Sequence, residues 1–158
     1  MRAFIAVDLD NEDYFKDIQK QLPEVKQTFT KAFHITLQFL GEIDEKTVPS
    51  IREKINSIKF KPFNIVSDKL GIFPNEKFIR VVWVGFENCK ELKRIVEELS
   101  DEEFIPHVTL SRVKFVKDKK VYLEQLMKIK AEKKEFEVNR IILFKSELTE
   151  NGPVYSEL

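Results

Sequence analysis

The chain has 158 residues, enough for one compact domain or two small lobes sharing a core, and its 42% hydrophobic content excludes a disordered chain. Lys plus Arg and Asp plus Glu both number 27, so no global field draws in a polyanion, and any nucleic-acid partner must be held by a local patch. Cys89 is the only cysteine, which excludes an intramolecular disulfide and a cysteine zinc site; with no signal peptide and no apolar run near the roughly 20 residues of a membrane span, a cytoplasmic location without membrane partner is expected.

Residues 2–8, RAFIAVD, are apolar and β-prone and read as a strand. Asp10 or Asn11 caps a helix predicted to run to about Thr28, with Tyr14, Ile18 and Leu22 on one face and a break near Pro23. Phe33–Leu40 is a second strand closed by Gly41. Asp44 then opens a helix to about Ile58, with Val48, Ile51, Ile55 and Ile58 at helical spacing. Residues 62–73 and 78–86 read as two strands joined by the turn Phe73-Pro74-Asn75-Glu76, the second carrying the nearly all-apolar VVWVGF. Asn88 caps a helix over 89–100. Pro106 introduces a strand to about Phe115, and a fourth helix covers 118–130. One long strand is predicted over 135–146, and Asn151-Gly152 turns the chain into a last strand. Strands and helices alternate in blocks with no linker between them. The expected architecture is α+β, with the two halves resembling each other.

Both histidines of the chain occur in the same phrase. Phe33-His34-Ile35-Thr36-Leu37 and Pro106-His107-Val108-Thr109-Leu110 each read His, β-branched apolar, Thr, Leu. In a strand, residues i and i+2 share a face. Each phrase therefore presents one imidazole and one hydroxyl on one side and apolar side chains on the other. Two such strands side by side would place two imidazoles and two hydroxyls around one small anion. An imidazole titrates near neutrality, so one ring can be neutral and remove a proton from water while the other is charged and protonates a departing ribose oxygen. The threonine hydroxyls can donate to non-bridging phosphate oxygens. This scheme uses no metal and no cofactor. A lone His-X-Thr strand is usually plain core, whereas two copies that use every histidine favour a working pair. Two histidines without a carboxylate at ligand spacing support a metal site poorly. A Cys–His mechanism would require Cys89.

At these phrases the sequence resembles the 2H phosphoesterase superfamily, and within it the RNA 2′,3′-cyclic phosphodiesterases, long called 2′-5′ RNA ligases. The resemblance runs through MRAFIAVDL, FHITLQFLGEI, VVWVGF, PHVTLSRVK and KSELTENGPVYSEL. It implies a single domain over 1–158, built of two pseudo-symmetric lobes, each with an antiparallel sheet and flanking helices, and an active cleft between them. It also implies hydrolysis of RNA 2′,3′-cyclic phosphate ends to 2′-phosphomonoesters, with weak reverse 2′-5′ joining of RNA such as tRNA halves. A monomer is expected. By the same analogy His107 is the base for water and His34 the acid for the ribose O3′, with Thr36 and Thr109 binding substrate. The family pattern tends to carry a basic residue near the phosphate, here Arg112, although strand parity sets Arg112 opposite Thr109 unless a bulge re-aims it. Lys31 and Lys114 could add to a basic rim, and Phe39, Phe104 and Tyr155 could stack a nucleobase. The rival readings are a cyclic-nucleotide-metabolite phosphodiesterase and a non-catalytic module that binds RNA ends.

Overall fold

The computed structural model describes all of residues 1–158. In chain order the elements are β1 (Arg2–Asp8), α1 (Glu12–Gln21), β2 (Lys26–Phe29), β3 (His34–Glu42), α2 (Val48–Ser57), β4 (Phe63–Asn75), β5 (Phe78–Glu87), α3 (Lys90–Leu99), β6 (His107–Phe115), α4 (Lys119–Met127), β7 (Glu135–Val138), β8 (Ile142–Thr149) and β9 (Gly152–Glu157). The fold is α+β, as expected: four helices on one curled antiparallel sheet ordered β7-β4-β5-β6-β3-β1-β8-β9, with β2 added beside β6. The unit strand–helix–strand–helix occurs twice, as β1–α1–β3–α2, with the short β2 inserted after α1, and as β5–α3–β6–α4, and the strand after the first helix in each copy that pairs across the centre begins with a His-X-Thr phrase. The two halves of the sheet meet through a single residue pair, Ile35 of β3 and Val108 of β6.

All four helices contribute to one apolar cluster with alternate residues of the strands. Phe15 and Ile18 of α1, Ile55 of α2, Leu92 and Ile95 of α3 and Tyr122 of α4 pack with Ile5, Ile35, Val82, Val84 and Val108. Each fully buried aliphatic side chain contributes about 1.5–3 kcal/mol. The helices therefore cover one face of the sheet, and the other face is left to form a cleft.

Three expectations about elements require correction. The first helix does not reach Thr28. It stops at Gln21 before Pro23, and residues 26–29 form β2, whose backbone pairs with Ser111–Phe115 of β6. The predicted long strand over 135–146 is two strands. β7 pairs with β4 in one half and β8 with β1 in the other, so the chain crosses between halves at Asn139–Ile141. β4 also runs on through Pro74 to Asn75, which moves the turn to Glu76-Lys77. The remaining elements lie within a few residues of their predicted bounds. Asp44 caps a short 3-10 turn ahead of α2, with its carboxylate accepting from the Lys46 amide at 2.9 Å. No helix is long and apolar enough to cross a membrane.

Candidate active site

The site is built outward from the residue pair that joins the halves. Ile35 and Val108 oppose each other in antiparallel register, and both are fully buried on the helix-covered face. Directly opposed residues share a face and their neighbours take the other. His34 and Thr36, flanking Ile35, and His107 and Thr109, flanking Val108, therefore project together into the cleft. Antiparallel pairing sets His34 across from Thr109 and Thr36 across from His107, so the four groups alternate around one space. All four are partly buried. The structure thus brings both phrases together: the strand period gives each phrase its shared face, and the β3–β6 pairing makes the two faces meet.

Each imidazole leans on an aromatic wall from its own half. His34 stacks on Phe4 with centroids 5.0 Å apart and meets the edge of Tyr155 at 5.3 Å. His107 meets Phe73 edge-on at 5.0 Å and Trp83 at 5.8 Å. Gly71 makes room for the indole: a Cβ there would lie 2.3 Å from Trp83. His107 Nδ1 sits 2.6 Å from the Ile105 carbonyl, which only accepts. That bond places the proton on Nδ1 and leaves the Nε2 lone pair for the cleft.

Burial lowers the pKa of both rings. His34 is pushed down from its ordinary 6.5 to about 4, first by desolvation and then by the nearby positive charges of Arg112 and protonated His107. His107 is also lowered by desolvation, against a raising contribution from its bond to Ile105. A consequence for stability follows. The folded His34 has a pKa below that of the unfolded chain, so the unfolded state takes up the proton first as pH falls. Stability should be level above about pH 6.5 and fall toward pH 4, with about 2–3 kcal/mol attributable to this ring. Denaturant midpoints of wild type and His34→Asn across pH 4–8 test this. A wild type that loses no more stability on acidification than the variant would refute it.

Arg112 reaches the cleft by the route that simple alternation does not give. Along β6, Thr109 pairs with Trp83 and Ser111 with the adjacent Val82, which makes Leu110 an extra, bulged residue. Leu110 and Ser111 are both buried, so the alternation slips by one and Arg112 returns to the face of Thr109. The bulge is held by polar contacts that are buried or partly buried. Gln19 of α1, only 7% exposed, donates from Nε2 to the Leu110 carbonyl at 2.9 Å and to the Thr30 carbonyl at 2.9 Å. The Thr30 hydroxyl donates to the Thr109 carbonyl at 2.7 Å, and its amide donates to the Leu110 carbonyl at 3.0 Å. Ser111 donates to Gln27 at 2.6 Å. Leaving such buried groups unpaired costs about 1–3 kcal/mol each, so the bulge has a strong local cause. Gln19 and Thr30 went unnoticed in the sequence because each looks like an ordinary polar residue. The available signal was Gln19 standing beside Ile18 on the apolar side of α1.

The other candidates lie around this centre. A pocket of about 180 Å³ opens beside Thr36 and His107, with Phe39, Phe73 and Phe104 in its lining and Glu102 and Glu103 at its rim. Phe39 is 72% exposed and Phe104 half-buried. Tyr155 instead belongs to the wall behind His34. Lys31 and Lys114 are exposed, and Lys114 falls on the cleft face two residues beyond Arg112. Cys89 is out of the question as a nucleophile for these histidines. It sits in the helix-side core, its thiol bonds the Glu87 carbonyl at 3.5 Å, and burial pushes its pKa up to about 11.

The LigT like Phosphoesterase family profile matches residues 7–83 and 85–155, so each matched segment holds one His-X-Thr phrase. An RNA 2′,3′-cyclic phosphodiesterase of Methanocaldococcus jannaschii is 36% identical, over 98% of this chain and 96% of its own length. One of Archaeoglobus fulgidus is 34% identical, over 100% and 98%. Among solved structures, TT0787 of Thermus thermophilus superposes with a TM-score of 0.81 at 27% identity, covering 100% of this chain and 95% of that one. Escherichia coli LigT, solved with 3′-AMP, gives 0.75 at 22% identity over 99% and 94%, a likeness of fold.

Proposed function

The chain belongs to the LigT like Phosphoesterase family, and from that premise we propose that it opens RNA 2′,3′-cyclic phosphate ends to 2′-phosphomonoesters by paired histidine acid–base catalysis. The observation that carries this reading is the register of Ile35 against Val108, which turns two imidazoles and two threonine hydroxyls to the same side of the sheet, in the cleft. Relatives that match nearly end to end are named RNA 2′,3′-cyclic phosphodiesterases, and the aromatic pocket beside His107 suits the base of the terminal nucleotide.

The two rings differ in the sense the chemistry requires. His107 carries its proton on Nδ1, held by Ile105, so Nε2 can take a proton from water as it attacks phosphorus. The same backbone bond stabilises the imidazolium that results. His34 has the lower pKa, which makes it the stronger acid once it holds a proton. It protonates O3′ as the P–O3′ bond breaks, leaving the phosphate on O2′. Thr36, Thr109 and Arg112 bind the non-bridging oxygens, where the negative charge sits. The bound phosphate offsets the charge of Arg112 and so raises the affinity of His34 for a proton, against the burial that lowers it most. Cytoplasmic RNA with a cyclic phosphate end is the partner this scheme serves, and the reverse reaction would form a 2′-5′ linkage.

Product analysis on a cyclic-phosphate-ended RNA in EDTA tests the reading. The expected product carries its phosphate on the 2′-hydroxyl. A 3′-phosphate product would refute the leaving-group assignment, and loss of activity in EDTA with recovery on added zinc would refute the metal-free scheme. The pH optimum for kcat should lie above that for kcat/KM, because the substrate's negative charge favours the charged imidazole in the complex. Coincident optima would argue against the role given to the phosphate.

A further inference from the structure

The cleft has opposite charge at its two ends. Beyond His107 the chain runs back through Asp101, Glu102 and Glu103, and the last two rim the aromatic pocket. Beyond Arg112 the balance inverts. Residues 77–80 and 112–120 hold seven basic residues against one acid, Asp118, whose carboxylate caps α4 by accepting from the Val121 amide at 3.1 Å. In a chain with no net charge, this is a local patch of the kind a polyanion needs.

The geometry makes the basic end continuous with the site. Val113 is buried, so Lys114 shares the cleft face with Arg112. On the neighbouring strand, Val81 pairs with Arg112. Ile79 is buried in the core and Arg80 is the extra residue of a register shift, which returns Phe78 to the cleft side. Phe78 is 57% exposed, and two cations stand over it: Arg80 at 5.1 Å and Lys119 at 5.7 Å from the ring centroid. Both cations are further anchored. Arg80 Nη1 donates to the Lys114 carbonyl at 3.2 Å, and Lys119 Nζ donates to the Lys77 carbonyl at 2.5 Å. Long basic side chains ordinarily lose much rotamer freedom on binding. Here that loss is largely already taken, and the guanidinium offers a fixed plane and free N–H groups.

We propose that the strip from Arg112 through Lys114 to the Phe78–Arg80–Lys119 cluster is the track for single-stranded RNA leading into the cyclic phosphate. The inference rests on the activity proposed above and adds the direction of the chain. The nucleotides 5′ of the reacting phosphate leave over the basic end, with their phosphates on Lys114, Arg80 and Lys119, because the glutamates at the other end repel them. Recognition is by charge and stacking and is independent of sequence.

The test compares Arg80→Gln/Lys119→Gln with wild type on two substrates: a 2′,3′-cyclic mononucleotide and a short single-stranded RNA ending in the same group. The expected result is a KM for the RNA raised about tenfold at low salt, with mononucleotide kcat/KM unchanged. The plot of log affinity against log salt for the RNA should flatten by about 1.4, the share of two phosphate contacts on a single strand. Equal losses on both substrates, or no loss on either, would overturn the track. Binding of an RNA ending in a 2′-phosphate, followed by fluorescence anisotropy, reads the track separately from turnover. If wild type turned over neither substrate while the double variant still bound this RNA more weakly, the proposed reaction would fail and the track would stand; equal binding would sink the track.

Discussion

Replacing either histidine by alanine should lower kcat on a cyclic-phosphate-ended RNA by about 10²–10⁴ while the fold survives. Both rings are only partly buried and sit on the cleft face, outside the apolar cluster that the helices share with the sheet, so their removal opens little core. The double variant should lose far less than the product of the single losses, because a base without its acid completes no step. The pair can also be told apart. An aryl phosphodiester has a leaving group that needs no proton. His34→Ala should regain most of its rate on such a substrate, and His107→Ala should not. If the two variants recovered equally, the roles assigned from the Ile105 bond and from the low pKa of His34 would be wrong. A single variant at near wild-type rate would dispose of the pair altogether.

Arg112→Leu should cost about 10²–10³ in kcat/KM, the range seen when one group that stabilises developing oxyanion charge is removed. Leucine keeps the bulk and takes away the charge. The loss of Arg112 should also raise the pKa of His34, since its guanidinium is the second largest cause holding that ring down. Titration of the two imidazoles by NMR reads this directly: the His34 midpoint should move up in the variant and that of His107 much less. An unmoved His34 would place the guanidinium away from the site. The same position can be reached indirectly. Gln19→Leu keeps side-chain size and removes the donor to Leu110, so the bulge should relax toward plain alternation. If Gln19 acts by positioning Arg112, this variant should lower kcat/KM and shift the His34 midpoint in the same sense as Arg112→Leu. A purely structural Gln19 would lower the melting temperature and leave the midpoint alone.

Most elements were legible because their causes are local. The VVWVGF run, the Asn-Gly turn and the four apolar helix faces each follow from a few adjacent residues, and the structure forms them near their expected places. The failures have a shared cause. Residues 26–29 carry no pattern that distinguishes the tail of a helix from a strand. What decides is the open backbone edge of β6 beside them, supplied from more than 80 positions away. Residues 135–146 look continuous because both parts are β-prone, and only pairing with β4 in one half and β1 in the other separates them.

By itself the sequence determined the α+β class, the repeated phrase and, through the period of two, which atoms of each phrase share a face. Residue identity and the alternation of a strand are properties of a few consecutive residues, and no partner is needed to read them. Tertiary structure alone decided that the phrases meet, since one pairing of Ile35 with Val108 sets the register for both. It alone decided the fate of Arg112. The slip at Leu110 is imposed by donors on α1 and on the segment after β2, and the cost of leaving those groups unpaired turns the guanidinium toward the cleft.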